Sequence, residues 1–180
     1  ALRPHGRGRV MADATSGISI RPANGADWDL IRGWLRLPEI QGWWGTAAST
    51  EAEVRLVMET PSAMARVVMA ADEAIGYAHA IDALHWGSGL PEAMVPGTWD
   101  IDVFVAAPGW RGRGAGRRAV ELITEEVFAT TLAPAVSVFT SIRNERAVRA
   151  YEAAGFRWTR IHDDPIQGPC WMMLKDRPAR

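Results

Sequence analysis

The sequence is short of several things, and each shortage excludes something. One cysteine, Cys170, leaves no internal disulfide, so the expected fold rests on its own core and suits a reducing cytoplasm. There is no excess of either charge: 20 basic residues stand against 21 acidic ones, which gives no reason to expect nucleic acid as a partner. No apolar run approaches the roughly 18 residues that span a bilayer, so no membrane association is expected. The opening "ALRPHGRGRVMADATSG" carries charge without an apolar segment and does not read as a secretory signal. Its Arg, Gly and Pro cannot build a packed face, so residues 1–15 read as a disordered tail ahead of a single domain over 16–180.

What remains is the composition of a globular domain, with 48% hydrophobic and 23% charged residues. Alternation from Ile18 to Arg21 reads as a strand. Asp27 is placed to cap a helix from Trp28 to Leu37, with Pro38 stopping it. Ser49 or Thr50 is placed to cap a second helix that ends at Pro61. "RVVMAADEAIGYAHAI" reads as a hairpin turning at Asp72-Glu73, and a Gly/Pro-rich loop from Trp86 to Thr98 leads to a strand, Trp99 to Val105. Val120, Ile123, Thr124 and Val127 then recur at helical spacing, "PAVSVFT" is a short strand, and "NERAVRAYEAAGF" is a helix capped by Asn144 and closed by Gly155. Two final strands follow, Phe156 to His162 and Cys170 to Lys175. This order predicts a mixed sheet with helices on both faces, α+β or α/β in class.

One local absence is informative. From Val67 to Trp110 there is no Lys or Arg, yet six acids occur: Asp72, Glu73, Asp82, Glu92, Asp100 and Asp102. The next eight residues hold four arginines and three glycines, in "WRGRGAGRR" from Trp110 to Arg118. A helix that starts here aims unpaired N–H groups and the positive end of its dipole outward. Gly112, Gly114 and Gly116 remove the Cβ atoms that would hold a ligand off the backbone. That arrangement suits a phosphate or pyrophosphate, with Arg111, Arg113, Arg117 and Arg118 in reach of its oxygens. Neither G-x-x-x-x-G-K-[ST] nor G-x-G-x-x-G is met, the latter failing at Arg117. A glycine-rich surface turn with solvated arginines is the plain alternative.

The pattern that does fit, R-x-x-G-x-G over Arg111 to Gly116, resembles the acetyl-CoA pyrophosphate motif of the GNAT N-acetyltransferases. "RNERAVRAYEAAGF" resembles that family's second signature, and "LIRGWLRLPEIQGWWG" is similar to the acceptor side of aminoglycoside 6′-N-acetyltransferases and siderophore-type acyltransferases. The resemblance implies a three-layer fold with a mostly antiparallel central sheet. It implies acetyl-CoA as co-substrate, no metal, and direct transfer to a small cationic amine; it is compatible with a homodimer. Carried over by residue, it puts Arg111, Gly112, Arg113, Gly114, Ala115, Gly116 and Arg117 on the diphosphate, and Asn144 beside the pantetheine arm. The backbones of Val103 and Val105 are then expected to pair with the pantetheine amides. Where the aminoglycoside enzymes carry an Asp-Pro pair before the Asn helix, this chain has Phe139 and Thr140.

Acetyl transfer needs a neutral amine, and deprotonating an alkylammonium of pKa near 10.4 at pH 7 costs about 4–5 kcal/mol. A carboxylate on the amine side and a phenol on the sulfur side answer both protonic needs. Asp100 and Asp102 alternate onto one strand face. Asp102, which by the resemblance also matches the acid taken as base in the aminoglycoside enzymes, is the expected base, or else binds the cationic acceptor. The resemblance puts the Tyr151 hydroxyl near the thioester sulfur as the expected acid. Asp82, Asp100, Trp43 and Trp44 are candidate acceptor contacts, the tryptophans as a flat wall or as core. Cys170 with a histidine as an acyl-enzyme pair, and His79, Asp82 and His85 as metal ligands, fit the pattern poorly. A non-catalytic acyl-CoA-binding module would not need both Asp102 and Tyr151.

Overall fold

The computed structural model describes residues 15–86, 91–92, 94–164 and 168–179, with only the backbone described at His85 and Trp86. Thr15 lies in a turn whose carbonyl accepts the Ile18 N–H at 3.0 Å; the rest of the expected tail lies outside the described residues.

Seven strands form one sheet: β1 (Ile18–Pro22), β2 (Met64–Ala70), β3 (Glu73–Asp82), β4 (Trp99–Val105), β5 (Ala135–Ser141), β6 (Arg157–Asp164) and β7 (Gly168–Asp176). Their order is β1-β2-β3-β4-β5-β7-β6, antiparallel throughout except for β4 against β5. The helices are α1 (Trp28–Leu35), α2 (Pro38–Trp44), α3 (Ala47–Glu59), α4 (Ala83–Trp86), α5 (Ala115–Thr130) and α6 (Glu145–Ala153). The expected class holds: a mixed, mostly antiparallel sheet covered on both faces. On one face, Val120, Ile123 and Val127 of α5 and Tyr151 of α6 pack against Ile75, Ile101 and Val136. On the other, Ile31, Leu35, Val54 and Val57 of α1 and α3 bury Val67, Tyr77 and Phe104.

Four local expectations are corrected. Pro38 does not merely stop a helix, because it occupies the first turn of α2, where a missing N–H costs nothing. The helix before it ends at Leu35 rather than Leu37. Asp27 gives α1 no side-chain cap; it closes a capping box instead, in which Asn24 accepts from Ala26 N and Asp27 accepts from Asn24 N at 2.9 Å. Thr46, not Ser49 or Thr50, caps α3, its hydroxyl accepting the Ser49 N–H.

Asp27 also takes a bidentate pair from Arg21, at 2.7 and 2.9 Å. That guanidinium, then the Asn24 N–H, hold its carboxyl below the usual range against the opposing effect of burial. A depressed folded-state pKa contributes stability above the unfolded value near 3.9 and loses it as pH falls through the folded one. Asp27→Asn is therefore expected to destabilise the fold by about 2 kcal/mol at pH 7. In thermal unfolding, the gap between variant and native protein should close below about pH 4; a gap independent of pH would contradict the assignment.

Candidate active site

The parallel pairing of β4 with β5 is brief, joining Trp99 to Val136 and Asp100 to Ser137. Beyond Asp100 the strands diverge, so the β5-facing edge of β4 from Ile101 to Val105 is left without a strand partner. At the mouth of this split α5 begins. Gly114 precedes it in the left-handed region at φ +85°, and among the described residues no side chain caps the helix. Its first-turn N–H groups are thus left for a ligand.

A cavity of about 490 Å³ opens there. Gly112, Gly114, Gly116 and Arg117 line it on the helix side, Val103 and Val105 on the strand side, and Asn144 and Tyr151 from α6. Trp43 and Trp44 of α2 close the far wall. Most of the residues expected for the coenzyme are thereby brought together, whereas Arg113 and Ala115 are not among the lining residues. Asn144 also caps α6, accepting from Ala147 N at 3.2 Å. Trp43 is 44% exposed and is the tryptophan free to make a wall. Trp44 packs edge-on to Phe104, His79 and Tyr77.

The four arginines of the joint are not equivalent. Arg111 donates to the Val105 carbonyl at 2.9 Å and also to the Ala106 carbonyl, tying down the end of β4, and it pairs with Glu39 at 3.1 Å. Arg117 pairs with Glu121, and Arg118 with Glu121 and Glu125. Arg113 is exposed and enters no ion pair among the described residues. Arginines that the motif did not single out reach the cavity from α6, namely Arg146 and Arg149. The Arg146 guanidinium lies 3.2 Å from the point where a Cβ on Gly112 would stand. Their signal was spacing: three residues apart, they share a helix face.

Asp102 and Asp100 share a face of β4, as expected, but not an environment. Asp100 accepts from Ser137 Oγ at 2.7 Å; burial, then the charge of Asp102, pushes its carboxyl well up. That is the setting of a structural acid held by a hydroxyl. Asp102 is 35% exposed and lies 3.5 Å from Nε2 of His79. Asp82 accepts from Leu84 N at 3.0 Å at the start of α4, away from the cavity lining. Tyr151 is buried, and burial, then Asp102 and Asp100, raise its phenol, so it keeps its proton. Cys170 is a buried thiol, raised by burial and then by Asp164, which removes the thiolate that an acyl-enzyme would need. Of the metal-ligand trio considered from sequence, His79 sits instead with Glu53 and Asp102, while Asp82 serves α4.

The glycines yield a discriminating test. Gly114→Ala forces a side chain into the left-handed region, a cost of about 1–2 kcal/mol, and sets its Cβ 2.8 Å from Thr15. Coenzyme KM should rise about tenfold. A Cβ on Gly116 meets only Val105 at 3.8 Å and faces no left-handed backbone, so Gly116→Ala should keep the helix intact and raise coenzyme KM less than Gly114→Ala does. Equal effects from the two substitutions would contradict a turn shaped by Gly114.

A split parallel strand pair, with an uncapped and glycine-cradled helix starting at its mouth, defines the acetyltransferase class to which the motifs pointed. Residues 24–164 match the family model for the acetyltransferase (GNAT) domain, and the chain belongs to that family. Aminoglycoside N(6′)-acetyltransferase type 1 of Klebsiella pneumoniae is 29% identical over 178 residues, covering 94% of this chain and 88% of that protein. The enzyme of the same name from Serratia marcescens matches to the same extent. Among solved structures, AAC(6′)-Ib with ribostamycin and coenzyme A superposes with a TM-score of 0.79 at 29% identity, over 90% of this chain and 94% of that one. AAC(6′)-Ib with coenzyme A and kanamycin gives 0.77 at 29% identity, over 89% and 95%. An aminoglycoside N(6′)-acetyltransferase from Legionella pneumophila, at 19% identity and 0.68 over 93% and 94%, shares the fold.

Proposed function

We propose that this protein transfers the acetyl group of acetyl-CoA directly to a primary amine of a small polycationic acceptor, the 6′-amine of an aminoglycoside. The observation that carries the reading is the uncapped start of α5 on the wall of a cavity of about 490 Å³. Backbone N–H groups at Gly114, Gly116 and Arg117 hold the diphosphate, with Arg146 and Arg149 adding charge from the facing helix. The unpartnered edge of β4 aligns the pantetheine arm toward Tyr151.

The acceptor enters on the α2 side. Trp43 gives a sugar ring a flat face, and Glu39, four residues earlier on the same helix face, gives an ammonium a partner. Asp102 takes the proton that frees the amine lone pair, directly or through water. The amine nitrogen attacks the thioester carbonyl, and the C–S bond breaks as the Tyr151 phenol protonates the departing sulfur. The second proton, shed by the nitrogen as it becomes an amide, returns to the Tyr151 oxygen. No step calls for a metal. Among the described residues, no helix is long and apolar enough to cross a membrane; a cytoplasmic location, where acetyl-CoA is at hand, suits the single buried thiol.

A thiol-release assay with acetyl-CoA across kanamycin, a polyamine, a lysine-like hydroxamate and an N-terminal peptide tests this. Turnover on the polycationic amines is expected. Turnover confined to neutral or anionic acceptors would overturn the acceptor assignment and favour a siderophore-type substrate.

A further inference from the structure

On the sheet face opposite α5, three ionisable side chains from distant parts of the chain meet: Glu53 of α3, His79 of β3 and Asp102 of β4. Their ligand-type atoms all lie within 4.8 Å of one another. His79 stands opposite Asp102 in the antiparallel register, with Nε2 3.5 Å from its carboxylate. The imidazole is 1% exposed, and among the described residues its buried Nδ1 has no hydrogen-bond partner, nor has the neighbouring Tyr77 hydroxyl. Glu53, in contrast, reaches solvent. The cluster therefore runs from the half-exposed Asp102, past a buried imidazole, to a carboxylate at the surface.

Resting on the function just described, we propose that Glu53 is the exit for the proton Asp102 removes from the acceptor, with His79 a positioning residue that holds Asp102. The ammonium N–H bond breaks and an O–H bond forms on Asp102. That bond then breaks as a proton passes to the Glu53 carboxylate, which releases it to bulk water. A single water spans such a gap, since two hydrogen bonds of about 2.8 Å meeting at a tetrahedral angle reach roughly 4.5 Å. Two carboxylates this close resist being ionised together, and the Glu53 carboxyl is raised by desolvation and then by Asp102, with His79 opposing. The other groups bearing on the cluster are Asp100 beside Asp102 on β4, Tyr77 on β3 and Arg66 of β2, the last neutralised by its pair with Glu126. Trp44 of α2 covers the imidazole with its ring edge-on, at a centroid distance of 5.8 Å. Trp44 also lines the cavity, so the relay begins beside the acceptor wall.

Glu53→Gln is the test, because Glu53 faces solvent and its replacement leaves the core intact. With acetyl-CoA and kanamycin, kcat should fall about tenfold while KM for acetyl-CoA stays unchanged. The acidic limb of the pH–rate profile should lose the contribution of the Glu53 carboxyl, which desolvation and then the charge of Asp102 raise. Buried His79 supplies a second comparison: His79→Gln, which retains an N–H donor for Asp102, should keep more of kcat than His79→Leu. A Glu53→Gln profile that superimposes on the native one overturns the relay and leaves the acetyltransferase reading standing. Equal losses in the two His79 variants overturn the positioning role. Absence of kanamycin acetylation by the native protein overturns the acceptor assignment and the relay with it.

Discussion

Asp102→Asn is expected to lower kcat on a cationic amine by about a hundredfold or more, the usual consequence of removing an acid–base group. The substitution keeps the shape of the side chain and a polar contact for Nε2 of His79, now 3.5 Å from the carboxylate. What it removes is a proton acceptor for an amine whose deprotonation at neutral pH costs about 4–5 kcal/mol. Because Asp102 does not line the coenzyme cavity, KM for acetyl-CoA should stay within about twofold of native. Raising the pH should recover part of the lost rate, since a growing fraction of amine is neutral without help. Steady-state kinetics between pH 6 and about 9 would check both points. A variant with native kcat would show that Asp102 only attracts the acceptor.

The second large effect is expected at Tyr151. Tyr151→Phe removes one oxygen, and the edge-on contact with Phe156 at 5.8 Å survives, so stability should change little. The thiolate that leaves coenzyme A then lacks its proton donor, and kcat should fall about a hundredfold. Burial, followed by Asp102 and Asp100, keeps the phenol protonated well above its ordinary range. Loss of that proton should therefore put no alkaline limb on the native pH–rate profile below about pH 10. A limb there that vanished in Tyr151→Phe would contradict the assigned environment.

The architecture was legible where periodicity was strong. Val120, Ile123, Thr124 and Val127 share the buried face of α5, as their spacing required. The alternation in "WDIDVFV" placed Asp100 and Asp102 on one face, yet it could not tell a carboxyl tied to Ser137 from one left half-open, because that depends on β5 far along the chain. Pro38 misled because proline marks both the end of one helix and the first turn of another. Glu39 and Arg111 are distant in sequence and meet across the cavity; nothing local announces that pair. Glu53 was hidden for the same reason. Beside the buried Val54 it reads as an ordinary solvated helix position, and only the packing of α3 over β3 and β4 brings it to His79.

The proposed catalysis depends on the turn from Gly112 to Gly116, whose place at the uncapped start of α5 on the cavity wall suits a diphosphate. Titration calorimetry of the native protein with coenzyme A, beside pantetheine, which has the same arm without the diphosphate, tests this most directly. Saturable binding of coenzyme A is expected, with none for pantetheine over the same concentrations. Equal binding of the two ligands, or no heat with coenzyme A, would contradict it.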